Sequence, residues 1–83
     1  MHYVYVLQSQ KDNSYYVGYS ADPVNRLTKH NKSNKGYTAK KKPWQLMYTE
    51  SYETKLEALK REKFIKAQKS KIFIEKLINQ KDS

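Results

Sequence analysis

The chain has 83 residues, and 17 Lys+Arg against 8 Asp+Glu give it a net charge of +9, which attracts polyanions. The lack of cysteine excludes a disulfide scaffold and a Cys-ligated zinc site. With no apolar run near the ~20 residues of a membrane span and no signal-peptide core, a cytoplasmic setting without a membrane partner is the expectation. A mean hydropathy of −1.04 would suit disorder, but 13% aromatic residues supply large apolar bodies for a core. Surface scaling, roughly 5,200 Å² folded against roughly 14,400 Å² unfolded, allows one thin core, hence a single domain over 1–83 or a fragment of one.

The segment His2 to Gln8 is dense in β-branched and aromatic residues and predicts a strand. Polar residues Gln10 to Ser14 form a turn, and Tyr15 to Tyr19 predicts a second strand. So short a link makes the pair an antiparallel hairpin. Asp22-Pro23 marks a helix start, because Asp caps the first free N–H groups and Pro loses no helical bond there. This helix should run to about Asn31 with Val24 and Leu27 on its buried stripe. Lys32 to Pro43 is basic, contains Gly36, lacks periodicity, and reads as a loop.

A third strand is predicted from Trp44 to Tyr52, with Trp44, Leu46 and Tyr48 alternating with Gln45, Met47 and Thr49. Thr54 and Glu57 form a capping box that opens a helix whose apolar stripe is Leu56, Ala58, Leu59 and Ile65. Ser70 caps a last helix with Phe73 and Leu77 four apart, flanked by Ile74 and Ile78. The order β-β-α-β-α-α implies an α+β fold, a small three-stranded antiparallel sheet flanked by helices.

Several residues suit chemistry as well as structure. Glu62 neighbours Ala58, Leu59 and Ile65, so it lies on or beside the inward stripe, where a carboxylate needs a cation. An i,i+4 pair with Lys66 is the structural alternative, worth roughly 0.3–0.5 kcal/mol. Tyr5 and Tyr16 stand on neighbouring strands and suit a core role or hydroxyl chemistry. Gly18 fits a close backbone approach or a bulge. Arg26 and His30 are four apart on one helix face, and Arg26 is one of only two arginines. His30 could equally cap the helix C-terminus. Lys29, Lys32, Lys35, Lys40, Lys41 and Lys42 form a basic run beside Tyr37, Trp44 and Tyr48, either a solvated surface or a nucleic-acid face. Fifteen lysines to two arginines favour phosphate contacts over base readout.

Tyr3-Val4-Tyr5, then Tyr16-Val17-Gly18, then Arg26, His30-Asn31, a Pro43-Trp44 strand and a helix bearing Glu62 together resemble the GIY-YIG endonuclease superfamily. The resemblance covers nearly the whole chain and is nearest to the short single-domain bacterial branch, which is similar to nucleases that cut branched DNA in repair. It departs at Tyr3, often glycine in the superfamily, and at Tyr19, a lysine in some branches, which removes a cation near the reaction centre. The resemblance implies a metal-dependent endonuclease that hydrolyses DNA phosphodiester bonds and selects structure over sequence. It implies that Glu62 holds one divalent Mg²⁺ or Mn²⁺, that Tyr5 helps take a proton from water, and that Tyr16 orients water or phosphate. Arg26 would stabilise the phosphate's charge and His30 would shuttle a proton or donate to phosphate. A free phenol near pKa 10 is a poor base at neutral pH, so the metal or Arg26 would have to lower that of Tyr5. The expected partner is DNA, branched and nicked forms both open, with a protein partner as a further source of affinity. The alternative is a nucleic-acid-binding module on the same scaffold without turnover.

Overall fold

The computed structural model describes residues 1–34 and 36–80. Strand β1 spans His2–Ser9 and β2 spans Tyr15–Ser20; helix α1 covers Pro23–Lys32 and a short α2 covers Tyr37–Lys41. Strand β3 runs Trp44–Tyr52, followed by α3 at Lys55–Gln68 and α4 at Lys71–Gln80. The sheet is antiparallel with order β2-β1-β3, so the first strand lies in the middle. The α+β architecture read from the sequence is the one observed. No helix among the described residues is long and apolar enough to cross a membrane.

The central strand explains the layering. Val4, Tyr5, Val6 and Leu7 are all almost completely buried, so both faces of β1 are covered. Val4 and Val6 pack with Val17, Ala58, Ile65 and Leu77, beneath α3 and α4. Tyr5 and Leu7 point to the other face, where Trp44, Leu27, Leu46 and Tyr16 enclose them. A strand interleaving two apolar sets by the two-residue pleat is thus the common wall of two small cores.

Helix capping follows the sequence closely. The Asp22 carboxylate accepts from the Asn25 N–H at 3.1 Å with Pro23 in the first turn. Thr54 Oγ1 accepts from the Glu57 N–H at 3.2 Å and donates to the Glu57 carboxylate at 2.9 Å. Ser70 Oγ accepts from the Phe73 N–H at 3.1 Å.

Four local expectations are corrected. Part of the segment from Lys32 to Pro43, read as a loop, forms α2, opened by Gly36 at φ 86°. In β3, Val6 faces Tyr48 but Leu7 faces Leu46, so Met47 is an extra residue in a bulge. The bulge breaks the simple alternation: Trp44 and Leu46 serve the α1 face, whereas Tyr48 and Tyr52 serve the α3–α4 face. Val24 is exposed, because α1 is held through Pro23, Leu27, His30 and Asn31 and leaves Val24 at the margin. Leu56 is also exposed, being two residues and about 200° of helix rotation before the buried Ala58.

The bulge also sets up a polar network. Glu50 accepts from Tyr48 Oη at 2.5 Å, Tyr52 Oη at 2.7 Å and Arg61 Nε at 2.9 Å, with Arg61 Nη2 at 3.1 Å. Burial pushes the Glu50 carboxyl up, but these donors outweigh it and hold it below its usual 4.5. Native protein therefore binds fewer protons here than unfolded chain, and this stability, present above about pH 4.5, is lost as pH falls through the lowered value. Glu50→Gln should lose about 1–3 kcal/mol at neutral pH, with Arg61 left unpaired. In urea titrations its stability should then fall less than that of the native chain on acidification.

A second prediction concerns Gly18, which pairs with Tyr5 across the strands. A Cβ there would meet Tyr5 Cζ and Oη at 2.5 Å, so the phenol ring lies flat over the glycine. Gly18→Ala should cost about 1–3 kcal/mol in urea unfolding and displace the Tyr5 ring, visible in its NMR shifts.

Candidate active site

A phenol that crosses its neighbouring strand reaches further than an ordinary core tyrosine. Tyr5 passes over Gly18, and its Oη comes within 3.2 Å of His30 Nε2 on α1, either group donating according to the imidazole tautomer. Tyr16, two residues before Gly18 on β2, shows the same face. Its ring is 4.9 Å from His30 at 62° and 6.4 Å from Tyr5, and Trp44 backs it at 6.1 Å.

Helix α1 supplies the second wall, Arg26 and His30 lying one turn apart. Among the described residues the exposed Arg26 guanidinium makes no hydrogen bond or ion pair, so it stands available to an anion. Helix α3 supplies the third wall. Its buried positions Ala58 and Ile65 are seven apart, and Glu62 falls between them on the same stripe. The carboxylate of Glu62 is 19% exposed and sits 3.4 Å from Lys66 Nζ. Both sequence readings of Glu62 therefore describe its surroundings: it faces inward, and it pairs with Lys66.

Tyr5, Tyr16, Arg26, His30 and Glu62 line one pocket of about 220 Å³, completed by Gly18, Tyr19 and Leu59. The five candidates come from three elements and β1, spread over 58 positions of sequence from Tyr5 to Glu62, inclusive. The six lysines do not gather in the same way. Lys29 and Lys32 are exposed in the last turn of α1, and Lys40 is exposed on α2. Lys41 pairs with Asp12 at 2.9 Å and donates to Ser14 Oγ, while Lys42 donates to Ser33 O at 2.9 Å and to Asn34 Oδ1. These two therefore tie α2 and its flank to neighbouring loops. Lys35 lies outside the described residues.

The electrostatics correct one expectation. Burial, reinforced by Tyr16 and Glu62, pushes the Tyr5 phenol up to about 12, and the opposing pull of Arg26 is too weak to acidify it. Burial, with Arg26 adding repulsion, lowers His30 below its usual 6.5. At neutral pH the protein alone therefore presents a protonated phenol beside a neutral imidazole.

The donor set bears on a metal. No cluster of three or more His, Cys, Asp or Glu occurs among the described residues. Glu62 is the carboxylate of this pocket, accompanied by phenol oxygens. That set fits a hard divalent ion that keeps several waters and takes further oxygens from a phosphate. It does not fit an ion needing a full protein cage.

Sequence reasoning missed two supports. The Asn31 side chain accepts from the Trp44 N–H at 2.6 Å and donates to the Trp44 carbonyl at 3.1 Å, clamping the end of α1 to the start of β3. Its neighbour His30 is thereby held over Tyr5. Tyr19, the departure from the lysine of some branches, stacks on His2 at 5.9 Å and bonds its Nδ1 at 2.7 Å, with Lys55 Nζ 6.0 Å from its ring. A cation thus stands near this position from another element. Position in α1 signalled Asn31 only as a late helix residue, since its partner lies thirteen residues on.

Comparison with known proteins identifies the family. Residues 1–78 match the GIY-YIG catalytic domain. A UPF0213 protein of Staphylococcus saprophyticus is 47% identical over 66 residues, covering 78% of this chain and 79% of the relative. A UPF0213 protein of Staphylococcus aureus matches with the same identity and coverage. The solution NMR structure of a UPF0213 protein from Bacillus halodurans superposes with a TM-score of 0.62 at 33% identity, covering 96% of this chain and 84% of that one. With the match spanning residues 1–78, and so nearly every element, the chain belongs to the GIY-YIG nuclease family.

Proposed function

We propose that this chain is a metal-dependent endonuclease that hydrolyses DNA phosphodiester bonds and selects substrate by shape rather than sequence. The observation carrying this reading is the shared pocket of Tyr5, Tyr16, Arg26, His30 and Glu62. A core-only role needs no arginine left without a partner beside an inward carboxylate and two phenols.

The division of labour follows from the local chemistry. Arg26 binds a non-bridging phosphate oxygen and stabilises the charge that grows on it in the transition state. Tyr5 works as a relay, because a phenol pushed up to about 12 is not a preformed base. With His30 protonated on Nδ1, the Tyr5 hydroxyl donates to Nε2 across 3.2 Å. As water attacks phosphorus, its proton passes to the Tyr5 oxygen while the phenolic proton moves to His30, leaving imidazolium and an intact phenol. The ester P–O bond opposite the water breaks, its oxygen departing with the electron pair and taking a proton from solvent. Tyr16, braced by Trp44, orients the water or a phosphate oxygen. Glu62 would hold Mg²⁺ or Mn²⁺, which when bound supplies Lewis-acid neutralisation of phosphate and leaving-group charge. Lys66 must then yield the carboxylate, which its exposed position allows.

Affinity on this reading comes mainly from charge. The exposed Lys29, Lys32 and Lys40, together with the +9 balance, bind phosphates without reading bases. Lys41 and Lys42 contribute through whatever of their charge reaches past their loop contacts. A protein partner would supplement this weak binding.

A panel of branched, nicked and linear DNAs, assayed with and without Mg²⁺ or Mn²⁺, tests the proposal. Metal-dependent cleavage is expected, abolished in Glu62→Gln with DNA binding retained. Tyr5→Phe should lower the rate ~10²–10⁴-fold and Arg26→Ala ~10²–10³-fold. A folded wild-type chain that binds every substrate and cleaves none with either metal would instead establish the binding module.

A further inference from the structure

Beside the candidate active-site pocket lies a second, larger one. A groove of about 450 Å³ runs between edge strand β2 and the junction of α3 with α4. Its apolar surface comes from Val17, Ile65 and Ile74, with Tyr15 on their face of β2, while Tyr16, packed on the opposite core, borders it from the strand edge. Lys66, Lys69 and Lys71 rim it. Lys66 Nζ lies 5.9 Å from the Tyr16 ring, and Lys71 Nζ lies 5.9 Å from the Tyr15 ring. No carboxylate lines the groove.

The chemistry narrows the occupant. An aromatic side over an apolar floor receives a flat, weakly polar body, and a cationic rim without acidic residues receives an anionic tail. A nucleobase with its phosphate has both parts. The volume lies within the ~300–1,000 Å³ usual for small-ligand sites, so one nucleotide enters and a base-paired step does not. Continuity places this nucleotide beside the reaction: Tyr16 belongs to both cavities, and Lys66 reaches from the rim to Glu62 at 3.4 Å.

We propose that this groove seats an unpaired nucleotide flanking the phosphate to be cut, so that the preferred substrates carry a single-stranded segment next to the cleavage site. The proposal rests on the nuclease reading for the position of that phosphate. Stacking on Tyr15 supplies the preference for an unpaired base, while the lysines hold its phosphate without reading its identity.

Fluorescence anisotropy with two DNA hairpins of equal phosphate number, one blunt and one ending in a five-nucleotide overhang on the order of a single-strand site, tests it. The wild-type chain should bind the overhang roughly tenfold more tightly, the scale of stacking one base on an aromatic side chain. Tyr15→Leu should erase that preference and leave blunt-hairpin affinity unchanged. Because Tyr15 also packs on the core, the exposed pair Lys69→Gln with Lys71→Gln serves as a second variant and should weaken overhang binding more than blunt binding. NMR shifts caused by oligothymidylate should centre on Tyr15, Val17, Lys69 and Ile74. Equal wild-type affinity for both hairpins, shifts that avoid the groove, or concentration-dependent self-association that covers it would overturn the proposal. Cleavage of both hairpins without an overhang preference discards the groove and keeps the nuclease; preference without cleavage of either discards the nuclease and keeps the groove.

Discussion

The arrangement of this protein depends on one steric constraint, the passage of the Tyr5 ring across Gly18. Tyr5 belongs to the central strand and would otherwise be one more buried aromatic. Because its cross-strand partner has no side chain, the ring crosses β2 and carries its hydroxyl to His30 on α1. Any Cβ at position 18 would occupy the space of that ring. The same crossing brings the hydroxyl to the cavity that Glu62 enters from α3. Packing and chemistry therefore share a single contact.

The molecule spends its two arginines differently, and the contrast separates scaffold from site. Arg61 is fixed in a fork with Glu50, where two tyrosine hydroxyls complete the carboxylate's partners. Arg26 has no such partner among the described residues. The division falls within α3: residue 61 turns toward β3, and its neighbour Glu62 turns about 100° away, toward the pocket that Arg26 also lines. A one-residue step along α3 thus divides a stabilising network from the candidate site.

Much of this was legible before the fold. The strands, Asp22 and Thr54 caps, and the order of elements follow from local composition and turn chemistry. The candidates for the pocket came from spacing along two strands and two helices, reinforced by the family resemblance. What stayed hidden was non-local. The β3 bulge at Met47 depends on registering against β1, so alternation alone placed Tyr48 on the wrong face. The Asn31–Trp44 clamp joins residues with no shared periodicity. Helix α2 is a five-residue segment with no apolar stripe, held partly by the Ser9 hydroxyl on the Lys41 carbonyl. The direction of the Tyr5 shift also required the fold to be known, because only the assembled pocket shows burial, Tyr16 and Glu62 outweighing Arg26.

The central claim is that Tyr5 and His30 form a proton relay, with the phenol donating to a neutral imidazole. Nitrogen-15 NMR of the His30 ring across pH, in the full chain, addresses it most directly. The account predicts that His30 titrates below 6.5, with Nδ1 protonated and Nε2 bare at neutral pH. Tyr5→Phe should then perturb the Nε2 resonance far more than that of Nδ1. An imidazole protonated on Nε2 at neutral pH, or one whose Nε2 signal ignores the loss of the Tyr5 hydroxyl, would contradict the relay.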